Sequence, residues 1–129
     1  MFTLRGGGRI VDMKAINTLA YIRFLNCVDS LDRTNPGKKL DSTEEQLLNQ
    51  ITLANSQGKD LLVGNLISLS ELGSQATLHG RIKNLVVMGY VKLNEDGADG
   101  RKKFVTPTEK ALKHYERLSA CLEKALKSG

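Results

Sequence analysis

Residues 62–108 of this 129-residue chain read LVGNLISLSELGSQATLHGRIKNLVVMGYVKLNEDGADGRKKFVTPT. The segment 63–69 has the composition of a short helix, and a turn follows it. Ser74 then stands where a helix N-cap belongs, because its hydroxyl can accept a hydrogen bond from a backbone N–H of the next turn. A second helix is predicted over Gln75–Met88, and Gly89 can supply the left-handed residue that commonly ends a helix.

The second helix is predicted to have one buried face and one outward face. Leu78, Ile82 and Leu85 recur at i, i+4 and i+7, so they form a stripe that faces a core. Four side chains point the other way at about 100° per residue, and two more flank them. The outward set is Ala76, Gly80, Lys83 and Asn84, with Thr77 and His79 at its edges.

A β-hairpin is predicted to follow the second helix. Tyr90–Leu93 and Lys103–Thr106 have strand composition, and Pro107 is expected to end the second strand. The intervening residues are turn formers, and Leu61 or Leu62 could add a short third strand. Two helices, a tight turn and a hairpin in this order predict a winged helix-turn-helix. The predicted fold class is therefore mainly α with a small β-hairpin wing (α+β), flanked by long terminal helices.

The flanking segments are predicted to be helical. Residues 12–33 have apolar side chains on more than one face, as expected of a helix that packs against two bodies. The next helix begins at Asp41 paired with Glu44 or at Ser42 paired with Glu45, two possible registers of a capping box. After Thr108, a last helix of about 20 residues carries a stripe that consists of Ala111, Tyr115, Leu118, Leu122 and Ala125.

The terminal helices are predicted to form a homodimer, because helices this long are marginal without packing. The residues expected at that interface are Ile16, Leu19, Phe24, Tyr115, Leu118 and Leu122. We predict four segments. They are a flexible N-terminal extension (1–12), an N-terminal helix and loop for dimerisation (13–39), the winged helix-turn-helix (40–107) and a C-terminal dimerisation helix (108–129). The glycine-rich extension could alternatively be a basic arm that follows a DNA groove.

The charge distribution favours a polyanionic partner. The chain has a net charge of +5; residues 74–107 contain six basic and three acidic groups, whereas residues 40–73 contain one and five. A basic second helix and hairpin, preceded by an acidic segment, suit binding to nucleic acid. Scattered, solvated lysines would give the same sum, so charge leaves both interpretations open.

Composition excludes several other classes. Hydrophobic residues make up 40% and charged residues 26%, as in an ordinary globular domain. The sequence shows neither a membrane-spanning apolar run nor a secretory leader, so we expect a cytoplasmic protein. Cys27 and Cys121 match no zinc or CxxC pattern and are predicted to be reduced, partly buried thiols. A redox switch would need an accessible thiol of low pKa, for which the sequence gives no sign.

The ordered set of motifs resembles the MarR-type winged-helix transcriptional regulators from about residue 40 to the C-terminus. The resemblance is carried by Leu66–Ile67, Ser74–Leu78, Ile82–Leu85, Met88–Val91 and Asp99–Ala111. It implies a prokaryotic homodimer whose second motif helix enters the DNA major groove while the wing reaches the adjacent minor groove. The chain departs from the family at Gly80, where an arginine is common, and in the spacing Asp99-Gly100-Arg101 of the wing.

Twelve residues are predicted to bind double-stranded DNA. The start of the second helix suits phosphate, and polar side chains on its outward face suit base edges. Small outward residues would let the helix lie deep in a groove, although Gly80 could instead permit close packing against protein. On the wing, alternation predicts that Arg101 and Lys103 share one face while Lys102 takes the other. The set is Ser74, Gln75, Ala76, Thr77, His79, Gly80, Arg81, Lys83, Lys92, Arg101, Lys102 and Lys103.

Three other functions were compared with sequence-specific DNA binding. An enzyme is not expected, because His79 and His114 are the only histidines and neither belongs to a catalytic motif. No cofactor or metal is predicted. A winged-helix module that binds protein would explain the modest charge and is the main alternative. A small-molecule effector at the dimer seam is possible, but no polar cluster marks such a pocket.

Overall fold

The computed structural model describes residues 12–35, 37–95, 97 and 100–127. The predictions for the N-terminal extension and for Asp99 lie outside the described residues. The chain divides into two compact units. One is Lys38–Tyr115, and the other contains the terminal segments up to Gly37 and from Glu116 onward.

Helices and one small sheet make up the described chain, in agreement with the predicted fold class. The first six elements are α1 (Met13–Asn17), α2 (Ala20–Thr34), α3 (Ser42–Ser56), β1 (Leu61–Leu62), α4 (Val63–Ile67) and α5 (Gln75–Val87). The last three are β2 (Val91–Glu95), β3 (Lys103–Pro107) and α6 (Glu109–Lys127). The succession from α4 to β3 is the predicted helix, turn, helix and hairpin.

The three strands form an antiparallel sheet in the order β1-β3-β2. The predicted third strand is therefore present, with Leu61 opposite Val105. Pro107 ends the second strand as expected; it is itself the last residue of β3, one position beyond the predicted Lys103–Thr106, and lies opposite Val91. Proline is tolerated at a strand end because no further ladder bond needs its missing N–H.

The core of the unit Lys38–Tyr115 lies between α3, α5 and the sheet. The predicted stripe of α5 is confirmed, since Leu78 and Leu85 are fully buried and Ile82 is 3% exposed. Further buried residues come from α3, α4, β2, β3, α6 and the residue that precedes β2. They are Leu47, Leu48, Ile51, Leu66, Tyr90, Val91, Val105 and Ala111. Burial of this apolar surface is what holds α5 against the rest of the unit.

One of the two predicted capping boxes forms at the start of α3. The Asp41 carboxylate accepts a hydrogen bond from the Glu44 amide at 2.8 Å, and the Glu44 carboxylate accepts one from the Asp41 amide at 2.9 Å. The alternative register at Ser42 is not used. Glu44 is 2% exposed whereas Asp41 is exposed, so the box joins a surface residue to a buried one.

The prediction of a single helix over residues 12–33 is wrong, because two helices, α1 and α2, occupy this segment. Leu19 has an extended backbone (φ −76°, ψ 128°) between α1 and α2. The Thr18 hydroxyl donates to the Ala15 carbonyl at 2.6 Å, and the Arg23 guanidinium binds the Thr18 carbonyl. A threonine that bonds the preceding turn competes with helix continuation, and periodicity does not reveal this competition.

The last helix begins near the predicted cap, since the Ala111 amide donates to the Thr108 hydroxyl at 3.4 Å. Its apolar stripe needs one correction. Leu122 is 52% exposed, whereas Cys121 and Ala125 are buried. The inward face therefore follows i+3 and i+4 steps from the half-buried Leu118 to the buried Cys121 and Ala125, within the range that one helix face allows. No helix in the described part of the chain is long and apolar enough to cross a membrane.

Candidate nucleic-acid interface

Local sequence fixes both ends of α5. The Ser74 hydroxyl accepts a hydrogen bond from the Thr77 amide at 3.2 Å and donates to the Thr77 hydroxyl at 2.9 Å, which confirms the predicted cap. At the other end, Gly89 has φ +83°. The Tyr90 amide reaches the Leu85 carbonyl at 2.9 Å and the Gly89 amide reaches the Val86 carbonyl at 3.0 Å, the pattern of a Schellman motif.

The outward face of α5 is built from small residues and one cation. Ala76, Gly80 and Lys83 are exposed, as predicted. A Cβ built on Gly80 would meet nothing within 4 Å, so no close packing within the described chain requires this glycine. Ser74, Gln75, Thr77 and His79 are exposed as well, at the start and edges of this face. The face can therefore approach a partner closely while presenting polar groups at its rim.

Asn84 does not belong to this outward face, and its predicted orientation is wrong. Its side-chain amide donates to Glu44 Oε2 at 3.1 Å, and Asn84 is half-buried. Arg81 is on the same side, because residues three apart on a helix are neighbours. Arg81 Nε lies 3.0 Å from Asp41 Oδ2, and the side chain is 41% exposed. Of the predicted DNA-binding residues on α5, Arg81 is thus the one that is half-buried and ion-paired.

A cleft of about 580 Å³ lies between α4, α5 and the hairpin. Its apolar wall includes Leu62, Val63, Ile67, Ile82 and Leu93. Its basic wall is formed by residues that the sequence singled out. They are His79 and Lys83 of α5 and Arg101, Lys102 and Lys103 of the hairpin. Five of the twelve predicted DNA-binding residues therefore share one cleft, although they come from elements some 20 positions apart.

The hairpin residues differ in their relation to this cleft. Arg101 and Lys102 precede β3, so strand alternation does not apply to them, and all three wing cations line the cleft. The predicted separation of Lys102 from its neighbours is wrong for this reason. Lys92 lies opposite Thr106 in the ladder, on the other face from Leu93, and the structure does not bring it into the cleft. Its predicted contact with DNA remains a prediction.

Sequence reasoning missed two features of the site. Glu44 was assigned only to a helix start, yet its second carboxylate oxygen accepts a hydrogen bond from the Asn84 side chain of α5. Leu93 was taken as an ordinary strand residue, yet it is 38% exposed and lines the cleft. The available sequence signal for the role of Glu44 was its position in a capping box that precedes strongly apolar residues. No local pattern predicted that Leu93 lines the cleft, because its distance from α5 depends on the tertiary fold.

The predicted dimerisation residues fall into two groups. Tyr115 packs against the core of the unit Lys38–Tyr115, and its hydroxyl donates to Asn49 Oδ1 at 2.6 Å. Burial raises the pKa of Tyr115, and the negative charge of Glu45 adds to the rise. In the terminal unit, Leu19 is 56% exposed, while Ile16, Phe24 and Leu118 are half-buried. Exposed apolar surface in the terminal unit also includes Met13, Tyr21, Leu25, Leu122 and Leu126.

Helices α2 and α6 meet within the terminal unit. Arg23 Nε and Nη2 donate to the Ala125 carbonyl at 3.0 and 2.7 Å. Both cysteines are free; Cys27 is half-buried and Cys121 buried. Burial raises the pKa of the Cys121 thiol to about 11, and its hydrogen bond to Cys27 contributes to the rise. No group of three or more His, Cys, Asp or Glu side chains in the described residues could hold a metal ion.

The sequence matches neither a model of a known protein family nor a curated protein. Solved structures, in contrast, share the fold of this chain. A transcriptional regulator from Thermotoga maritima superposes with a TM-score of 0.63 at 18% identity, covering 90% of this chain and 73% of that one. A variant of S. aureus MepR bound to an oligodeoxyribonucleotide gives 0.63 at 15% identity, covering 89% and 76%.

The chain has the MarR-type winged-helix fold. A third structure with this fold is that of Bordetella bronchiseptica BpsR, described with regulation of its DNA binding by 6-hydroxynicotinic acid. It superposes with a TM-score of 0.50 at 24% identity and covers 84% of this chain and 76% of that one. The MarR-type fold accounts for the succession from α3 to β3 and for the helices at both ends of the chain. These superpositions, at 15–24% identity, establish the fold.

Proposed function

We propose that this protein is a sequence-specific, double-stranded DNA-binding transcriptional regulator that acts as a homodimer. The observation that carries the proposal is the basic cleft, in which Lys83 and His79 of α5 meet the three cations of the hairpin. A capped helix with an exposed face beside a basic hairpin matches how winged helices meet a major groove and the adjoining backbone. The DNA-bound state of the S. aureus relative with the same fold supports it.

The roles of the residues follow from their chemistry. The N-terminus of α5, with its exposed Ser74, suits a phosphate, because the first backbone N–H groups of a helix carry partial positive charge. Gln75, Thr77 and His79 can donate or accept at base edges. Ala76 and Gly80 keep the outward face thin, so the helix axis can lie deep in the groove. Their small size supports close contact with DNA, since nothing in the described chain fills the space at Gly80.

The wing cations supply the sequence-independent part of the affinity. Arg101, Lys102 and Lys103 are exposed and border the cleft that α5 lines. Phosphate contacts position a protein on the duplex, whereas base contacts specify the sequence. An arginine can also enter a narrow minor groove, where the negative potential is enhanced. We therefore assign orientation and general affinity to the hairpin and sequence preference to α5.

A homodimer through the terminal helices completes the proposal. Side chains of the terminal unit such as Leu19, Tyr21 and Leu126 are 56%, 68% and 66% exposed, and a second copy of the chain could cover this apolar surface. A second copy would place two α5 helices on half-sites about 34 Å apart along one face of the duplex. Binding at a promoter would then repress transcription. Leu126→Glu should shift the protein to monomer in sedimentation, whereas Lys127→Glu, one residue on, should not.

The test of DNA binding is its response to salt. We would titrate the protein against labelled duplex DNA over a salt series, with Lys83→Ala in the cleft and Lys127→Ala in α6 as its matched control. Neutralised phosphates release counterions, so affinity should fall steeply with salt, and Lys83→Ala should reduce the slope of log K against log salt by about 0.9. Lys127→Ala should keep the wild-type slope. Absence of binding at low salt would contradict DNA binding and favour a protein-interaction module.

A further inference from the structure

Two carboxylates at the start of α3 each use one oxygen in the capping box and the other in a contact with α5. Asp41 Oδ1 accepts from the Glu44 amide at 2.8 Å, and Oδ2 lies 3.0 Å from Arg81 Nε. Glu44 Oε1 accepts from the Asp41 amide at 2.9 Å, and Oε2 accepts from the Asn84 side chain at 3.1 Å. The capping box that begins α3 therefore also contacts the side of α5 at two residues, Arg81 and Asn84, one turn apart.

We infer that Arg81 is a positioning residue, which fixes α5 through Asp41 and does not itself contact DNA. The inference rests on the proposed function, because the quantity that it affects is the affinity for a DNA site. We call the four residues Asp41, Glu44, Arg81 and Asn84 the α3–α5 clamp. Arg81 is absent from the basic cleft, and its charge is balanced by a carboxylate at ion-pair distance. A phosphate that approached Arg81 would therefore meet the negative charge of Asp41 beside the guanidinium.

The α3–α5 clamp lies on one flank of α5, so it affects the angle at which this helix meets the DNA bases. Arg81 and Asn84 lie on the flank of α5 that faces α3, while Ala76, Gly80 and Lys83 lie on the outward face. Apolar packing of Leu78, Ile82 and Leu85 holds the helix close to the core, but such contacts are non-directional. The polar contacts on one flank resist rotation and tilt about that packing. Base contacts need placement within about 0.5 Å, so a rotated helix would lose them first.

Loss of the clamp should therefore reduce discrimination and leave general affinity intact. Non-specific binding depends on the number of phosphates neutralised, which does not change if Arg81 touches none. The site-specific complex requires the native angle of α5. An arginine that contacted a phosphate would behave in the opposite way, since its removal would weaken binding to every sequence and lower the salt slope.

The experiment compares Arg81→Ala, Asp41→Asn and the double variant, with Lys83→Ala as the control that loses a cleft cation. Asparagine still caps a helix, so Asp41→Asn removes the charge and keeps the start of α3. Dissociation constants would be measured for the preferred duplex and for a random duplex over a salt series. The preferred duplex would be one selected by wild-type protein from a random pool. Unfolding midpoints would be recorded for all five proteins.

We expect each single variant to lower the ratio of specific to random affinity by about 3- to 10-fold, and the double variant to lower it no further, because coupled residues are non-additive. The salt slope of Arg81→Ala should equal that of wild type. A slope reduced by about 0.9, as for Lys83→Ala, would overturn the inference in favour of a phosphate contact. Additive losses, or a lower unfolding midpoint with an unchanged ratio, would overturn it too. Wild-type protein that binds no duplex would instead overturn the proposed function.

Discussion

Asn84 Nδ2 donates a hydrogen bond to Glu44 Oε2 at 3.1 Å, and Glu44 is 2% exposed. Truncation of this glutamate would leave the Asn84 amide and the Asp41 amide without their acceptor. We expect Glu44→Ala to lower the free energy of unfolding by about 1–2 kcal/mol, because it removes two partly buried hydrogen bonds that each contribute about 1 kcal/mol. Denaturant titration measures it.

The conservative variant provides the contrast for Glu44. Glu44→Gln retains an acceptor oxygen, and glutamine is accepted at the third position of a capping box, so it should cost less than Glu44→Ala. Gln46→Ala, at an exposed position on the same helix, should leave stability within about 0.5 kcal/mol. Equal losses for Glu44→Ala and Gln46→Ala would show that the buried hydrogen bonds contribute nothing.

Gly80→Ala should have opposite effects on folding and on DNA binding. A helical glycine costs roughly 1 kcal/mol relative to alanine, and a Cβ at this position would meet nothing within 4 Å. The variant should therefore unfold at a higher denaturant concentration. It should also bind the preferred duplex more weakly, because the added methyl group thickens the outward face of α5.

A matched substitution on another helix separates these effects. Ser119→Ala, at an exposed site of α6, should raise stability slightly and leave DNA affinity unchanged. If Gly80→Ala binds DNA as well as wild type, the thin outward face has no role in approaching the groove.

Substitutions should separate the hairpin from α5 in sequence preference. Arg101→Ala removes a cation from the basic cleft, so it should weaken binding to all sequences alike. Gln75→Ala and His79→Ala should change which sequences are preferred, since these side chains are assigned to base edges. Binding of each variant to a panel of single-base site variants measures this. Uniform losses from all three would contradict the division of roles.

The Cys121 thiol should make stability fall in alkaline solution. Burial and the hydrogen bond to Cys27 raise its pKa from 9.0 to about 11. A thiol whose pKa is higher in the folded state stabilises that state fully below pH 9, and the contribution is lost as pH rises from 9 towards 11. Unfolding midpoints of wild type and Cys121→Ala should therefore converge over this range.

Alkylation gives an independent check on the same thiol. At about pH 8, iodoacetamide should modify the half-buried Cys27 faster than the buried Cys121, as followed by peptide mass spectrometry. Preferential modification of Cys121 would contradict both its burial and its raised pKa.

Local rules predicted the elements that form the candidate site. Ser74, the stripe from Leu78 to Leu85 and Gly89 define a capped amphipathic helix, and each signal depends on residues within one or two turns. The hairpin was recognisable for the same reason, since strand residues flank a run of turn formers. The cations of the site could be identified in this way because their positions on α5 and on the hairpin follow from these elements.

The errors arose where distant or competing contacts decide. Asn84 fits the outward arc of an isolated helix wheel, and only the approach of Glu44, 40 positions earlier, draws it inward. The break at Thr18 depends on hydrogen bonds to Ala15 and from Arg23 that periodicity does not contain. Leu122 replaced Cys121 in the predicted stripe because i+3 and i+4 steps are equally regular. Packing against a neighbour chooses between them.

Selection from a random duplex pool tests the central claim most directly. Purified protein would be mixed with the pool at low and at moderate salt, and the bound fraction would be sequenced. We expect a palindromic site whose half-sites are one helical turn apart, about 34 Å, with recovery that falls steeply as salt rises. Recovery of no enriched sequence, or no binding at low salt, would contradict a dimeric sequence-specific regulator.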